Sequence, residues 1–256
     1  MSDGRKRQIA DAFGKAARSY DDAAAPQRQA AALVADLARQ PRLPDRPRIL
    51  EVGCGTGILT RHIRDQWPDA ELVVSDLSPE MVGQAAKGAM IAGTFLPMDG
   101  EVPAFDGPWF DLILSNLAFQ WFGDLPAALA RLTGLLRPGG SLFFSTMGAD
   151  SFAEWRAAHA RTGEREGTPD YPDLDTLRAM LSAFPDAFAF DEHWRHDFGG
   201  AKGFLTHLKG IGATVPTGSH AALSAARLRA VMRALDEGGG AVTYHILFGR
   251  VTRVAA

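Results

Sequence analysis

A chain of 256 residues with 46% apolar and 22% charged side chains has the makeup of a folded globular protein, near the upper size for one hydrophobic core. The net charge of −3 excludes global attraction to nucleic acid, so an anionic partner must be met by a local patch. No apolar run reaches membrane-spanning length, and the basic start Arg5-Lys6-Arg7 leads into Gln8 and Asp11 rather than an apolar signal stretch. The single cysteine fits a reducing compartment. The expectation is a cytoplasmic, monomeric protein with no membrane or nucleic-acid partner, one domain with an elaboration.

In chain order, Ile9 to Leu37 reads as helix. Phe13, Ala16, Ala17 and Tyr20 recur at helical steps, and Pro26 to Ala38 is rich in Ala, Leu and Gln. Pro41, Pro44 and Pro47 make the next stretch a linker. Strand and helix then alternate: strand at Arg48–Val52, helix at Gly57–Gln66, strand at Glu71–Ser75. Ser78-Pro79-Glu80-Met81 opens a helix with a cap and a proline at its first position. A short strand is expected at Thr94–Leu96 and a longer one at Phe110–Ser115. A helix at Ala127–Leu136, ended by Arg137-Pro138-Gly139-Gly140, leads to a strand at Ser141–Ser145.

After Thr146 the rhythm changes. Helices are expected over about 150–181, with a loop near Gly163–Pro172, followed by a strand at Phe188–Phe198. Helices at Gly203–Ile211 and Ala221–Leu235 precede a last strand, Val242–Val251, pairing antiparallel with Phe188–Phe198. The pattern predicts an α/β fold: a Rossmann-like, seven-stranded, mostly parallel sheet with an antiparallel last strand. A helical cap is expected from the N-terminus and from insertions after the fifth strand. The expected division is lid and linker over 1–46, α/β core over 47–147, cap over 148–186 and 199–240, and closing strands at 187–198 and 241–254.

Ligands of open α/β sheets bind beyond the carboxyl ends of the strands. Those ends carry Gly53-Cys54-Gly55-Thr56-Gly57, then Asp76-Leu77, Asp99 and Asn116-Leu117. Glycines let the turn approach a ligand, and the helix behind it offers unpaired N–H groups. Asp76 is placed to accept both hydroxyls of a ribose. The pair resembles motifs I and II of class I S-adenosylmethionine-dependent methyltransferases. That resemblance assigns Gly53, Cys54, Gly55, Gly57, Asp76, Leu77, Met81, Asp99, Asn116 and Leu117 to the cofactor. The turn would cradle its amino-acid tail, Asp76 its ribose and Asp99 its adenine amine, unless Asp99 is an exposed loop acid. Leu77 and Met81 either sandwich the adenine or pack helix to sheet. Cys54 reads as a space-filling turn residue rather than a nucleophile.

Other chemistries find little support. Ser115-Asn116-Leu117-Ala118 lacks the Asn/Asp-Pro-Pro-Tyr/Phe of amino-methylating nucleic-acid enzymes, and Cys54 is misplaced for methylating carbon five of cytosine. His193 and His196 are three apart on a strand and face opposite ways; His207 and His245 read as structural or surface residues. No metal-ligand cluster, P-loop or Ser/His/Asp arrangement is legible, and no metal is expected.

Segments flanking the core carry a narrower resemblance. The run Ile9 to Asp21 with Gln27-Arg28-Gln29 is similar to the opening of the malonyl-acyl-carrier-protein O-methyltransferases of biotin synthesis. So, in the same order, are Ser115 to Trp121, Leu208-Lys209-Gly210-Ile211-Gly212-Ala213-Thr214, and Thr243 to Gly249. Between Thr162 and Asp191 the likeness is loose. The resemblance implies methylation of the free carboxylate of a malonyl thioester, on acyl carrier protein or coenzyme A. A carboxylate of pKa about 4 is ionised at pH 7, so no general base is needed. Tyr20, Gln120 and Trp121 are candidates to line the methyl-transfer cavity; Arg156 or Lys209 would orient the carboxylate. Trp121 as cap packing and Lys209 as a solvated helix residue are the competing readings. Arg5, Lys6, Arg7, Lys15 and Arg18 either meet acidic acyl carrier protein or are merely solvated. Two alternatives stay open: methylation of a free, aconitate-like carboxylic acid, and a cofactor-binding assembly or interaction protein.

Overall fold

Residues 2–89, 92–216 and 222–254 are described by a computed structural model. The N-terminal helical stretch begins earlier than its periodicity suggests and is broken twice, into α1 (Asp3–Ala16), α2 (Tyr20–Ala23) and α3 (Ala25–Leu37). Pro26 fits α3 because it falls in the first turn, where its missing N–H has no partner to lose. The core follows the expected order. Its elements are β1 (Arg48–Val52), α4 (Ile58–Gln66), β2 (Glu71–Asp76), α5 (Pro79–Ala89), β3 (Thr94–Pro97), β4 (Phe110–Asn116), α6 (Leu125–Gly134) and β5 (Leu136–Met147).

One boundary moves. Arg137-Pro138-Gly139-Gly140 does not simply stop α6; it is the first part of β5, entered through a register shift opposite Phe110 and Leu112. The cap comprises α7 (Ala153–Arg161), α8 (Leu174–Leu181), α9 (Ala201–Gly210) and α10 (Ala225–Glu237); the expected start at Ala221 lies outside the described residues. β6 (Asp186–His196) and β7 (Val242–Thr252) complete the sheet, paired antiparallel from Asp186 opposite Thr252 to His196 opposite Val242.

The sheet order is β3-β2-β1-β4-β5-β7-β6, and β7 runs antiparallel to both its neighbours. Alternation along the strands builds two cores. Ile49, Leu112, Leu114, Phe143 and Phe248 pack on one face; Leu50, Val52, Ile113, Leu142, Phe144 and Leu247 pack on the other. Full burial of each such side chain contributes about 1.5–3 kcal/mol.

The cap docks through glycines and paired polar groups. A Cβ on Gly210 would lie 2.9 Å from that of Ala23, and one on Gly212 (φ +74°) 2.9 Å from Ala12 O. Only glycine lets the end of α9 approach α1 and α2 so closely. Thr243 of β7 donates through N (2.8 Å) and Oγ1 (2.7 Å) to Glu154 of α7. Asp21 of α2 accepts from Thr56 and from Arg61 (3.2 Å), which clasps the same short helix to the core. Among the described residues no helix is long and apolar enough to cross a membrane.

Candidate active site

Two of the glycines at the end of β1 are forced by packing. Gly53 (φ +74°) and Gly57 (φ +88°) adopt left-handed backbone; a Cβ on Gly53 would sit 2.3 Å from that of Ala118, and one on Gly57 3.2 Å from Cα of Ala85. Gly55 (φ +54°) differs, because a Cβ there would meet only Tyr20 Cε1 at 4.0 Å and would fill open cavity space. Gly53 and Cys54 donate to Ser75 O at 2.8 and 2.9 Å, tying the turn to β2. Asp76 Oδ2 accepts from Gly55 N and Oδ1 from Ser78 N, each at 2.9 Å. Burial pushes the Asp76 carboxyl upward against those bonds.

Gly53, Cys54, Gly55, Asp76, Leu77, Met81, Asp99, Asn116 and Leu117 all line one cavity. Gly57 does not; it shapes the entry into α4. Cys54 is buried, and burial raises its thiol pKa well above the ordinary value, which removes it as a nucleophile. Glu51 also lines the cavity and was not among the expected site residues. Its signal was an acid inside the apolar run Ile49-Leu50-Glu51-Val52. Thr60 Oγ1 donates to Glu51 Oε2 at 2.6 Å, Oε1 has no partner, and burial pushes the carboxyl up to about 8.

Helix α1 covers this cavity. Lys6 Nζ lies 2.6 Å from both Asp99 Oδ2 and Glu101 Oε2. Burial opposes the charge on Lys6, but its hydrogen bonds to the two acids outweigh that and raise its pKa. Lys6 therefore leaves the expected outward basic patch, and Arg5 donates to Pro216 O at 3.0 Å; Arg7, Lys15 and Arg18 are exposed.

A second cavity lies against the first, lined by Gln120, Met147, Phe152, Trp155, Tyr171, Phe204, Leu208 and Tyr244 among others. Phe13, Tyr20, Gln27, Leu117 and Trp121 line both. Phe13 braces Trp121 edge-on, with centroids 5.3 Å apart at 81°. Leu117 holds φ +49°, costly for a branched side chain and fixed by bonds from its N–H to Ser145 O (3.1 Å) and Oγ (3.0 Å). Gln120 donates to Leu117 O.

All three tyrosines of the chain line the second cavity. Tyr244 and its partner His207 form a fixed pair. His207 Nδ1 donates to Ala23 O (2.8 Å), so Nε2 accepts the Tyr244 hydroxyl. Burial brings the His207 pKa down to about 4 and keeps the ring neutral. The hydroxyls of Tyr20 and Tyr171 have no hydrogen-bond partner among the described residues, and burial raises both phenols, keeping them protonated donors.

The two expected cations are placed elsewhere. Arg156 pairs with Glu166 (3.1 Å) and donates to Ala149 O (2.8 Å), while Lys209 is exposed on α9; neither lines the cavity. The lining includes no Lys or Arg among the described residues. Spacing also did not show that Asp150, His193 and His245 lie together, with candidate ligand atoms within 4.8 Å. The two rings stack at 4.1 Å and 11°, so their lone pairs run parallel rather than converging. His245 Nδ1 already accepts from Asp150 N (3.1 Å), and Nε2 faces Asp191 Oδ2 (3.0 Å).

Comparison with known proteins agrees with this architecture. The Methyltransferase domain family model matches residues 23–184. The malonyl-[acyl-carrier protein] O-methyltransferase of Magnetococcus marinus is 40% identical over 254 residues, covering 97% of this chain and 93% of that protein. The protein of the same description from Enterobacter lignolyticus is 36% identical, covering 97% and 98%. The biotin biosynthesis bifunctional protein BioCD of Bordetella avium is 45% identical over 95% of this chain, which spans 52% of that protein's length. Among solved structures, the YcgJ protein of Bacillus subtilis is similar with TM-score 0.61 at 16% identity, covering 87% of this chain and 98% of that one. Haemonchus contortus phosphoethanolamine N-methyltransferase 2 in complex with S-adenosyl-L-methionine gives 0.57 at 15%, covering 93% and 57%. At such identities these two speak for the fold alone. The length and order of the match to the curated relatives decide the rest: the chain belongs to the malonyl-[acyl-carrier protein] O-methyltransferase family.

Proposed function

We propose that the protein transfers a methyl group from S-adenosylmethionine to the free carboxylate of a malonyl thioester on acyl carrier protein. The observation that carries this reading is the pair of cavities sharing a wall at Phe13, Tyr20, Gln27, Leu117 and Trp121. The first suits the cofactor on three counts. Gly55 leaves open space where a Cβ would project, Asp76 is anchored by peptide N–H groups, and the orphaned Glu51 Oε1 matches an ammonium. Gly53–Gly55 and Glu51 would hold its amino-acid tail, Asp76 its ribose, and Asp99 with Leu77 and Met81 its adenine. When bound, the cofactor supplies a methyl on a positively charged sulfur, which passes to the carboxylate oxygen and leaves a neutral thioether.

The second cavity receives the acyl end. A carboxylate of pKa about 4 arrives ionised, so its residues need only orient it and exclude water. Tyr20 and Tyr171 offer neutral donors, which hold an oxygen anion without cancelling its charge as a guanidinium would. Met147, Phe152, Trp155, Phe204 and Leu208 exclude solvent around it. The test is incubation of the protein with methyl-labelled S-adenosylmethionine and malonyl-carrier protein, or free malonate and aconitate. A base-labile methyl ester on the carrier thioester is expected. Labelling of the free acids in preference to it would assign the aconitate-like reading instead.

A further inference from the structure

Gln27 stands in the first turn of α3, is 6% exposed, and lines both cavities. Its Oε1 is fully enclosed with no hydrogen-bond partner, and no bond from its Nε2 is formed among the described residues. A buried amide left this way costs free energy unless a ligand satisfies it. The backbone around it is the opposite case. Asn116 Nδ2 donates to Gln27 O (3.0 Å), Ser145 Oγ donates to Asn116 Oδ1 (2.8 Å), and Leu117 N donates to Ser145 Oγ (3.0 Å). The ends of β4 and β5 therefore hold the Gln27 backbone in place while its side-chain amide is left unspent and free to turn toward a ligand.

An amide has what this junction calls for. Its carbonyl oxygen accepts, which favours a positively charged neighbour; its NH2 donates, which favours an anion. We propose that Gln27 contacts both ligands at the point of transfer, its amide turning about the side-chain torsions so that the enclosed Oε1 meets the sulfonium centre of the methyl donor and Nε2 donates to the attacking carboxylate. Tyr20, on the same wall, then binds the carboxylate from a second side. This rests on the two-ligand reading above, but the cofactor half is measured without substrate.

The experiment compares wild type with Gln27→Leu, Gln27→Met and Gln27→Glu, each checked by its thermal unfolding midpoint. Calorimetry reads the affinity for S-adenosylmethionine, which carries the sulfonium, and for S-adenosylhomocysteine, which does not. Gln27→Leu should weaken the first about tenfold and the second less than about threefold. Gln27→Glu keeps an acceptor, so it should retain the charged ligand; having lost both donors and gained a repelling charge, it should raise KM for malonyl-carrier protein at least about tenfold. Gln27→Met serves where Leu does not fold. Equal loss for the two cofactor forms, or an unchanged KM in Gln27→Glu, overturns the assignment. The selective loss of S-adenosylmethionine binding in Gln27→Leu, together with a wild type that forms no ester, overturns the malonyl reading and leaves the sulfonium contact standing.

Discussion

The two cavities that meet at Tyr20, Gln27 and Trp121 are built differently. The first is built on the ends of β1, β2 and β4, whose shape is locked by peptide groups: Gly55 N and Ser78 N on Asp76, and Gly53 N and Cys54 N on Ser75 O. Helix α1 closes it through Lys6 on Asp99 and Glu101. The second is lined by side chains from distant segments, Tyr20 of α2, Tyr171 before α8, Phe204 of α9 and Tyr244 of β7. A backbone site is fixed by a short motif and tolerates little variation. A side-chain site depends on how the cap docks, and its chemistry is set by which side chains meet there. The cofactor side of such an enzyme is thus expected to be rigid and general, and the acceptor side assembled and particular.

Removing the anchor of the first cavity is the strongest way to break that contrast. Asp76→Ala takes away a buried carboxylate and leaves Gly55 N and Ser78 N unpaired, so S-adenosylmethionine affinity should fall at least about a hundredfold by calorimetry. If affinity stays within a few-fold, the cofactor is held elsewhere and the first cavity is misassigned. Tyr171→Phe tests the second cavity. Losing one neutral donor to a charged oxygen is worth about 1.5–3 kcal/mol, so kcat/KM for malonyl-carrier protein should drop by at least about tenfold while cofactor affinity is unchanged. Lys209→Ala is the control. Its side chain is exposed and off the cavity, so both parameters should match wild type. An effect of Lys209→Ala equal to that of Tyr171→Phe would return the carboxylate to a cationic anchor.

The same contrast explains what was legible. Strand ends, the glycine turn and Asp76 come from local periodicity and turn chemistry, and the sheet with its antiparallel last strand follows from them. Tyr171 was not legible, because it lies where the chain is only loosely family-like and matters through contacts far away in sequence. Lys209 was drawn in by its motif, Leu208 to Thr214, which packing explains instead: Gly210 against Ala23 and Gly212 against Ala12 and Phe13. The Thr243-Tyr244-His245 run has a similar account, each residue reaching a different partner, Glu154, His207 and Asp191. Motifs outside the glycine turn therefore report largely on how lid and cap are joined to the core. The polar groups proposed to act at that join have no periodic signature, whereas Glu51 shows in the sequence as an acid inside an apolar strand.

Glu51 supplies the finest test, because it separates backbone cradling from charge. Its carboxyl is pushed up to about 8, so without ligand it is mostly protonated at pH 7. For folding, the folded value lies above the unfolded one. The neutral form is therefore favoured, and stability falls as pH rises from about 4.5 through about 8. An ammonium placed beside Oε1 reverses the preference and ionises the group. Cofactor binding at pH 7 should then release up to about one proton, seen as a dependence of the calorimetric enthalpy on the ionisation enthalpy of the buffer. Glu51→Gln should abolish that release while changing affinity far less than Asp76→Ala, since the turn and the ribose acid remain. Persistence of the proton release in Glu51→Gln would place the titrating group elsewhere and leave the cradle of the tail to the peptide groups alone.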